Sequence, residues 1–196
     1  MTTKFEKLKQ EISICKKCVL SETRINVVFG EGNPNAEILV IGEGPGKDED
    51  LKGLPFIGRS GKLLDKILAD CGFNRQEHAF IANIVKCRPP QNRAPFPEER
   101  LSCIPYLNKQ IDLIDPKIII LLGATALNGL IDKKLKITKV RGEWINWNGR
   151  LVMPTFHPSA LLRNSNLKKD SWEDFKKVVD KYCELVDSKH CYATLF

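Results

Sequence analysis

Cys15 and Cys18, separated by two lysines in ICKKC, can grip one metal centre. Cys87 in NIVKCRPP and Cys103 in ERLSCIPYL return from distant chain and would complete a four-thiolate set. The two halves lie too far apart for a zinc finger, whose ligand pairs close within a few tens of residues. A folded domain must bring them together, so such a centre would staple loops on that domain. Residue types and spacing leave zinc and iron–sulfur both open. Cys71, Cys183 and Cys191 fall outside this frame, and Cys71 is expected to pack at a helix end. An odd total of seven cysteines and no export signal favour reduced thiols.

The elements that must position these loops alternate between strand and helix. The apolar run EILVIGE (37–43) ends in a Gly-rich loop and reads as a buried parallel strand. HAFIANIVK (78–86), PKIIILLG (116–123) and RLVMPTF (150–156) read as three more. Apolar residues at helical spacing predict helices over 60–72, closed by Gly72, over 98–115, from ATALNGLI onward, and over 169–186 with Asp170 or Ser171 near the N-cap. WINWNG suggests a hairpin, and the prolines of KCRPPQNRAPFP forbid regular structure there. The pattern predicts one α/β domain over residues 1–196: three αβα layers around a central, mainly parallel four-stranded sheet.

Ligands of such sheets bind at the carboxyl ends of the strands. Those ends read GEGPGKDED, NIVKCRPP, LLGATA and TFHPSALLR, so carboxylates, an amide and an imidazole converge. The first loop is a poor nucleotide cradle. Its glycines miss the G-x-G-x-x-G spacing, and Pro45 removes a backbone donor that a pyrophosphate would need. Its glycines suit close approach of backbone to a flat ligand instead.

Composition narrows the class. The chain of 196 residues can bury a core without disulfides. No apolar run approaches the ~20 residues of a membrane span, and the N-terminus lacks a signal-peptide core. A monomer of the cytoplasm, associated with the nucleoid, is expected. The net charge of +7 favours a polyanionic partner, and Lys52, Arg59, Lys62, Lys86, Arg88, Arg93 and Arg163 flank the convergent loops.

The motifs GEGPGKDEDLKGLPFIGRSGKLLD, NIVKCRPPQNR, PKIIILLGATA and TFHPSALLR resemble, in order and spacing, those of the family 4 uracil-DNA glycosylases, from about Cys15 to Trp172. The resemblance implies hydrolysis of the N-glycosidic bond of deoxyuridine in DNA, with Cys15, Cys18, Cys87 and Cys103 holding a [4Fe-4S] cluster of structural role. It implies that Phe56 stacks on the flipped uracil, that Asn83 reads its edge and that His157 stabilises the leaving anion. Glu43 and Glu49 are implied as site residues, Glu43 acting partly through its backbone beside the base, within a run where Asp48 and Asp50 compete for the carboxylate role. Gly44 stands where several other uracil glycosylases carry a water-activating Asp, which leaves the general base unassigned. Leu161 is expected to wedge into the base stack, with Ser159 and Arg163 on backbone phosphates.

Two other classes compete. A related family crosslinks to uracil-DNA through a histidine in a basic loop, but the stretch after Cys87 has no histidine. A non-enzymatic iron–sulfur DNA-binding or redox module would leave the convergence of Glu43, Phe56, Asn83 and His157 unexplained. No lysine is placed by motif as a Schiff-base nucleophile, so no lyase step is expected. The apolar tail YATLF (192–196) is a weak candidate for contact with a replication clamp, because it lacks the leading Gln of such motifs.

Overall fold

A computed structural model describes residues 3–190 and Tyr192. Cys191 and most of the tail considered for clamp contact lie outside the described residues. The elements run α1 (Lys4–Ser13), α2 (Leu20–Thr23), β1 (Glu31–Gly32), β2 (Ile38–Gly42), α3 (Lys47–Lys52), α4 (Arg59–Asp70) and β3 (Ala79–Asn83). They continue α5 (Pro97–Ile114), β4 (Ile118–Leu122), α6 (Gly123–Leu130), α7 (Ile137–Val140), β5 (Ile145–Trp147), β6 (Arg150–Thr155), α8 (Pro158–Arg163) and α9 (Leu167–Leu185), with a 3-10 turn at Pro90–Asn92.

The four anticipated strands are β2, β3, β4 and β6, and they pair in parallel in the order β3-β2-β4-β6. Among the described residues the sheet nonetheless has six strands, not four. Short β1 and β5 add to its edges, each antiparallel, and β5 with β6 forms the hairpin anticipated at WINWNG. A two-residue strand such as β1 carries no period for a sequence to show.

Every residue of β2, β3 and β4 is buried, as expected for strands covered on both faces. Alternation then sorts side chains into two cores. Leu39, Ile41, Ile119 and Leu121 meet Ile12 of α1, Tyr106 and Ile111 of α5 and Leu127 of α6. Ile38, Val40, Ile118 and Ile120 meet Leu64 and Leu68 of α4 and Phe175 and Val178 of α9. These are the three αβα layers.

Helix ends follow local chemistry. Cys71 is buried at the end of α4, as anticipated, and is itself the C-cap; Gly72, expected to close the helix, follows it at φ 76°. The last helix starts earlier than expected, so Asp170 and Ser171 lie inside α9 rather than at its N-cap. Ser171 is buried and shares a hydrogen bond with Thr155 at 3.2 Å, while the Thr155 hydroxyl donates to Asp174 at 2.6 Å. Those bonds clamp α9 to the carboxyl end of β6. His78 and His190 pack in an aromatic cluster, with His190 stacked on Phe73 at 4.3 Å.

One glycine decides how a loop meets the sheet. A Cβ on Gly61, in the first turn of α4, would lie 1.8 Å from the Phe56 carbonyl oxygen. Gly61→Ala should therefore destabilise the fold by at least the roughly 1–3 kcal/mol typical of overpacking. At ~2–4 °C per kcal/mol for a chain of this size, thermal unfolding will detect it. An unchanged melting temperature would show that the Phe56 loop is not fixed against α4.

Candidate active site

The strand register brings Gly42 beside Asn83 and Leu122 beside Thr155. Their following loops enclose a cleft of about 680 Å³ lined by Glu43, Phe56, Asn83, His157 and Arg163 among others. The loops after β2 and β3 stay zipped beyond the strands, with the Val85 N–H donating to the Glu43 carbonyl at 3.2 Å.

Asn83 is 1 % exposed, and its Oδ1 has no hydrogen-bond partner among the described residues. Gly42 makes room for it. A Cβ there would lie 2.5 Å from both Asn83 Oδ1 and the Phe56 ring. Phe56 holds a φ of 51°, a left-handed conformation uncommon for a bulky side chain. Arg75 fixes it, donating to the Pro55 and Phe56 carbonyls at 3.1 and 2.9 Å while Asp65 and Glu31 hold its guanidinium.

His157 follows β6 and faces Phe56, with ring centroids 5.6 Å apart. Its Nδ1 accepts the Ser159 backbone N–H at 3.1 Å. A backbone N–H only donates, so the neutral ring carries its proton on Nε2. Burial, aided by the Arg163 cation, pushes His157 down from 6.5 to about 4, so it is neutral at pH 7. Gly123, at φ 85°, backs the histidine; a Cβ there would sit 3.0 Å from His157 Cβ. Ser159 was expected on phosphate, but its hydroxyl lies 2.8 Å from Nδ1 and orients this ring.

The four acidic candidates separate by their partners. Asp50 is buried and turns away, accepting the Ile25 and Asn26 N–H groups. Glu49 has both oxygens engaged: Oε1 accepts from Ile57 and Gly58 at 3.0 and 2.8 Å, and Oε2 from Gly46 at 3.1 Å. Expected among the catalytic groups, it instead ties the Gly46 loop to the Phe56 loop. Glu43 accepts the hydroxyl of Thr125, which lies in the LLGATA loop at the start of α6 and was given no role from the sequence. Asp48 is exposed at the cleft and has no hydrogen bond or ion pair among the described residues. Gly44 offers little space for a larger residue, since a Cβ there would meet Val85 Cγ2 at 2.7 Å.

Around the mouth, Lys47, Arg59 and Arg163 are exposed. Arg93 is held by buried Glu99 in a two-pronged pair at 2.6 and 2.8 Å and lies over Phe96. Leu161 is 2 % exposed and packs inward, so it is not the outward wedge that was expected. Leu162, 42 % exposed, is the apolar side chain that this helix presents to solvent. In a turn of helix, adjacent residues point about 100° apart, and the motif alone does not say which faces out.

Cys15, Cys18, Cys87 and Cys103 line one small cavity with Arg24, Lys86 and Tyr106, and none of the four is in a disulfide. Donors point at sulfur: Arg24 to Cys87 at 3.1 Å and the Lys86 N–H to Cys103 at 3.4 Å. Burial pushes the Cys103 thiol up to about 11, against the pull of Lys86. Burial likewise lowers Lys86 to about 8, against Cys103 and Cys87. Among the described residues, no three Cys, His or acidic side chains converge on a point for a single metal ion.

A model of the uracil DNA glycosylase superfamily matches residues 29–179. The type-4 uracil-DNA glycosylase of Thermotoga maritima is 49 % identical over 88 % of this chain and 91 % of its own. That of Sulfurisphaera tokodaii is 46 % identical over 88 % of this chain and 82 % of its own. A type-5 enzyme of Pyrobaculum aerophilum reaches 29 % over 68 % of this chain and 66 % of its own. Joined to a cleft in which an amide, an aromatic ring and a neutral imidazole converge, these similarities place the chain in the type-4 branch of the uracil-DNA glycosylase superfamily.

Proposed function

We infer that this chain hydrolyses the N-glycosidic bond of deoxyuridine in DNA, releasing uracil and leaving an abasic site, through Asn83, Phe56, His157 and Glu43. The observation that carries the assignment of residues is the partnerless Oδ1 of buried Asn83 beside Phe56. A flipped uracil would stack on Phe56, give its N3–H to Oδ1 and accept the amide N–H at O4. Cytosine offers the opposite pattern at those two atoms, so the same amide rejects it.

As the C1′–N1 bond breaks, both electrons go to the base. The Nε2–H of His157 donates to O2, where the charge grows, and needs no full proton transfer. Glu43, held by Thr125, supplies negative charge beside the cationic sugar. A water adds at C1′ and loses its proton. Asp48, a cleft carboxylate with no competing partner among the described residues, would take that proton. Lys47, Arg59 and Arg163 would grip the phosphates.

The four-cysteine cavity suits a [4Fe-4S] cluster, which takes one thiolate per iron, and the resemblance to the type-4 enzymes favours that cluster over zinc. When bound, it supplies a structural crosslink. Hydrolysis requires no electron from it. A monomer acting on chromosomal DNA in the cytoplasm fits this chemistry, and no described helix is long and apolar enough to cross a membrane.

Asn83→Ala should lower excision by roughly 10²–10³, the cost of losing one preorganised donor set, with iron content and DNA affinity retained. Retained activity would refute the assignment, and an intact DNA-binding module without activity in the parent would favour the non-enzymatic class. Because the neutral ring persists above about 4, kcat should stay level through neutrality and fall only as pH approaches that value. Protonating Nδ1 would set it against the Ser159 N–H. An acid limb near the ordinary 6.5 would contradict this. Arg163→Ala should weaken DNA binding across sequences and reduce the salt slope by ~1, measured by titration at several salt concentrations; an unchanged slope would remove Arg163 from the phosphate contacts.

A further inference from the structure

Lys86 is 1 % exposed and follows β3, between the cysteine cavity and the cleft. Its ammonium donates to the Asn83 carbonyl at 2.8 Å. Its own N–H points at Cys103 Sγ, and its carbonyl accepts the Val28 N–H at 2.8 Å. Among the described residues no carboxylate pairs with it. A buried ammonium has three donors to satisfy and a charge to balance, and one neutral carbonyl does not balance it. The side chains left to do so are the four cysteines, which turn anionic when they ligate metal.

We propose that Lys86 is a positioning residue that couples the cysteine centre to Asn83, with the anionic centre holding the ammonium and the ammonium holding the strand end that carries the base-reading amide. This rests on the reading of Asn83 and of the cysteines given above. The centre then does more than pin distant loops: through one side chain, its charge sets the geometry of base recognition. Coupling of this kind is reciprocal, so filling the base pocket must also act on the centre.

The experiment compares the metal-loaded wild type with Lys86→Met, which keeps bulk but not charge, and with Lys86→Gln, which keeps a donor for the Asn83 carbonyl. Iron and sulfide content, kcat and KM on a uracil-containing duplex, and the reduction potential of the centre with and without free uracil are recorded. Iron should be retained. The kcat of Lys86→Met should fall roughly 10–100-fold, as for removal of outer-shell partners, with KM for DNA little changed and a smaller fall for Lys86→Gln. The potential should drop on loss of the neighbouring positive charge, and the shift caused by uracil in the wild type should disappear. Unchanged kcat in iron-replete Lys86→Met overturns the proposal. Loss of iron from both variants also overturns it, because Lys86 would then serve assembly of the centre rather than positioning. A wild type that holds iron but does not excise uracil refutes the reading of the cleft instead, and one that excises uracil without iron refutes the reading of the cysteines.

Discussion

A buried carbonyl oxygen without a partner costs about 1–3 kcal/mol, and Oδ1 of Asn83 is such an atom at the carboxyl end of β3. The surrounding structure holds it in that state. Gly42 leaves space beside it, Phe56 walls it in from a left-handed backbone conformation, and Lys86 grips its main chain from beneath. Each neighbour carries a constraint of its own. Phe56 needs Arg75 and Gly61; Lys86 needs anionic sulfur. A base edge that satisfied the oxygen would regain the interaction that folding withheld, which is the source of the selectivity proposed for the cleft.

Charge is used here mostly for positioning. Glu49 spends three backbone N–H groups on joining two loops, Asp50 spends two on fixing the segment before β1, and Arg93 is neutralised by Glu99. At the cleft itself, Asp48, Lys47, Arg59 and Arg163 have no side-chain partner among the described residues. His157 is the opposite case. Burial strips its charge, and the Ser159 N–H selects its tautomer, so a single donor faces the site.

Much of this was legible in the sequence. Continuous apolar runs marked β2, β3, β4 and β6, because strands covered on both faces need no polar alternation. The rule that parallel strands present their carboxyl ends to ligands then brought Glu43, Asn83 and His157 together. What escaped was tertiary. Thr125 and Arg75 act through partners tens of residues away, and no local period records such contacts; Lys86 reaches only three residues back, but nothing in the sequence shows that its ammonium is buried. Acidic spacing could not reveal that Glu49 is spent on backbone amides, nor could the Leu-Leu pair reveal that Leu161 faces the core. The HPS run did hold the signal that Ser159 serves the histidine, since a residue two places on can return its N–H to a capping side chain.

The most direct measurement is cleavage of end-labelled oligonucleotides carrying U opposite G, U opposite A, or T opposite G, resolved with and without alkali. Scission is expected only after alkali and only where uracil was present, because the base leaves by hydrolysis and the sugar–phosphate backbone stays intact. Scission without alkali would contradict it by requiring a lysine-borne lyase step. No scission from iron-loaded protein would contradict the assignment of the cleft as a catalytic site.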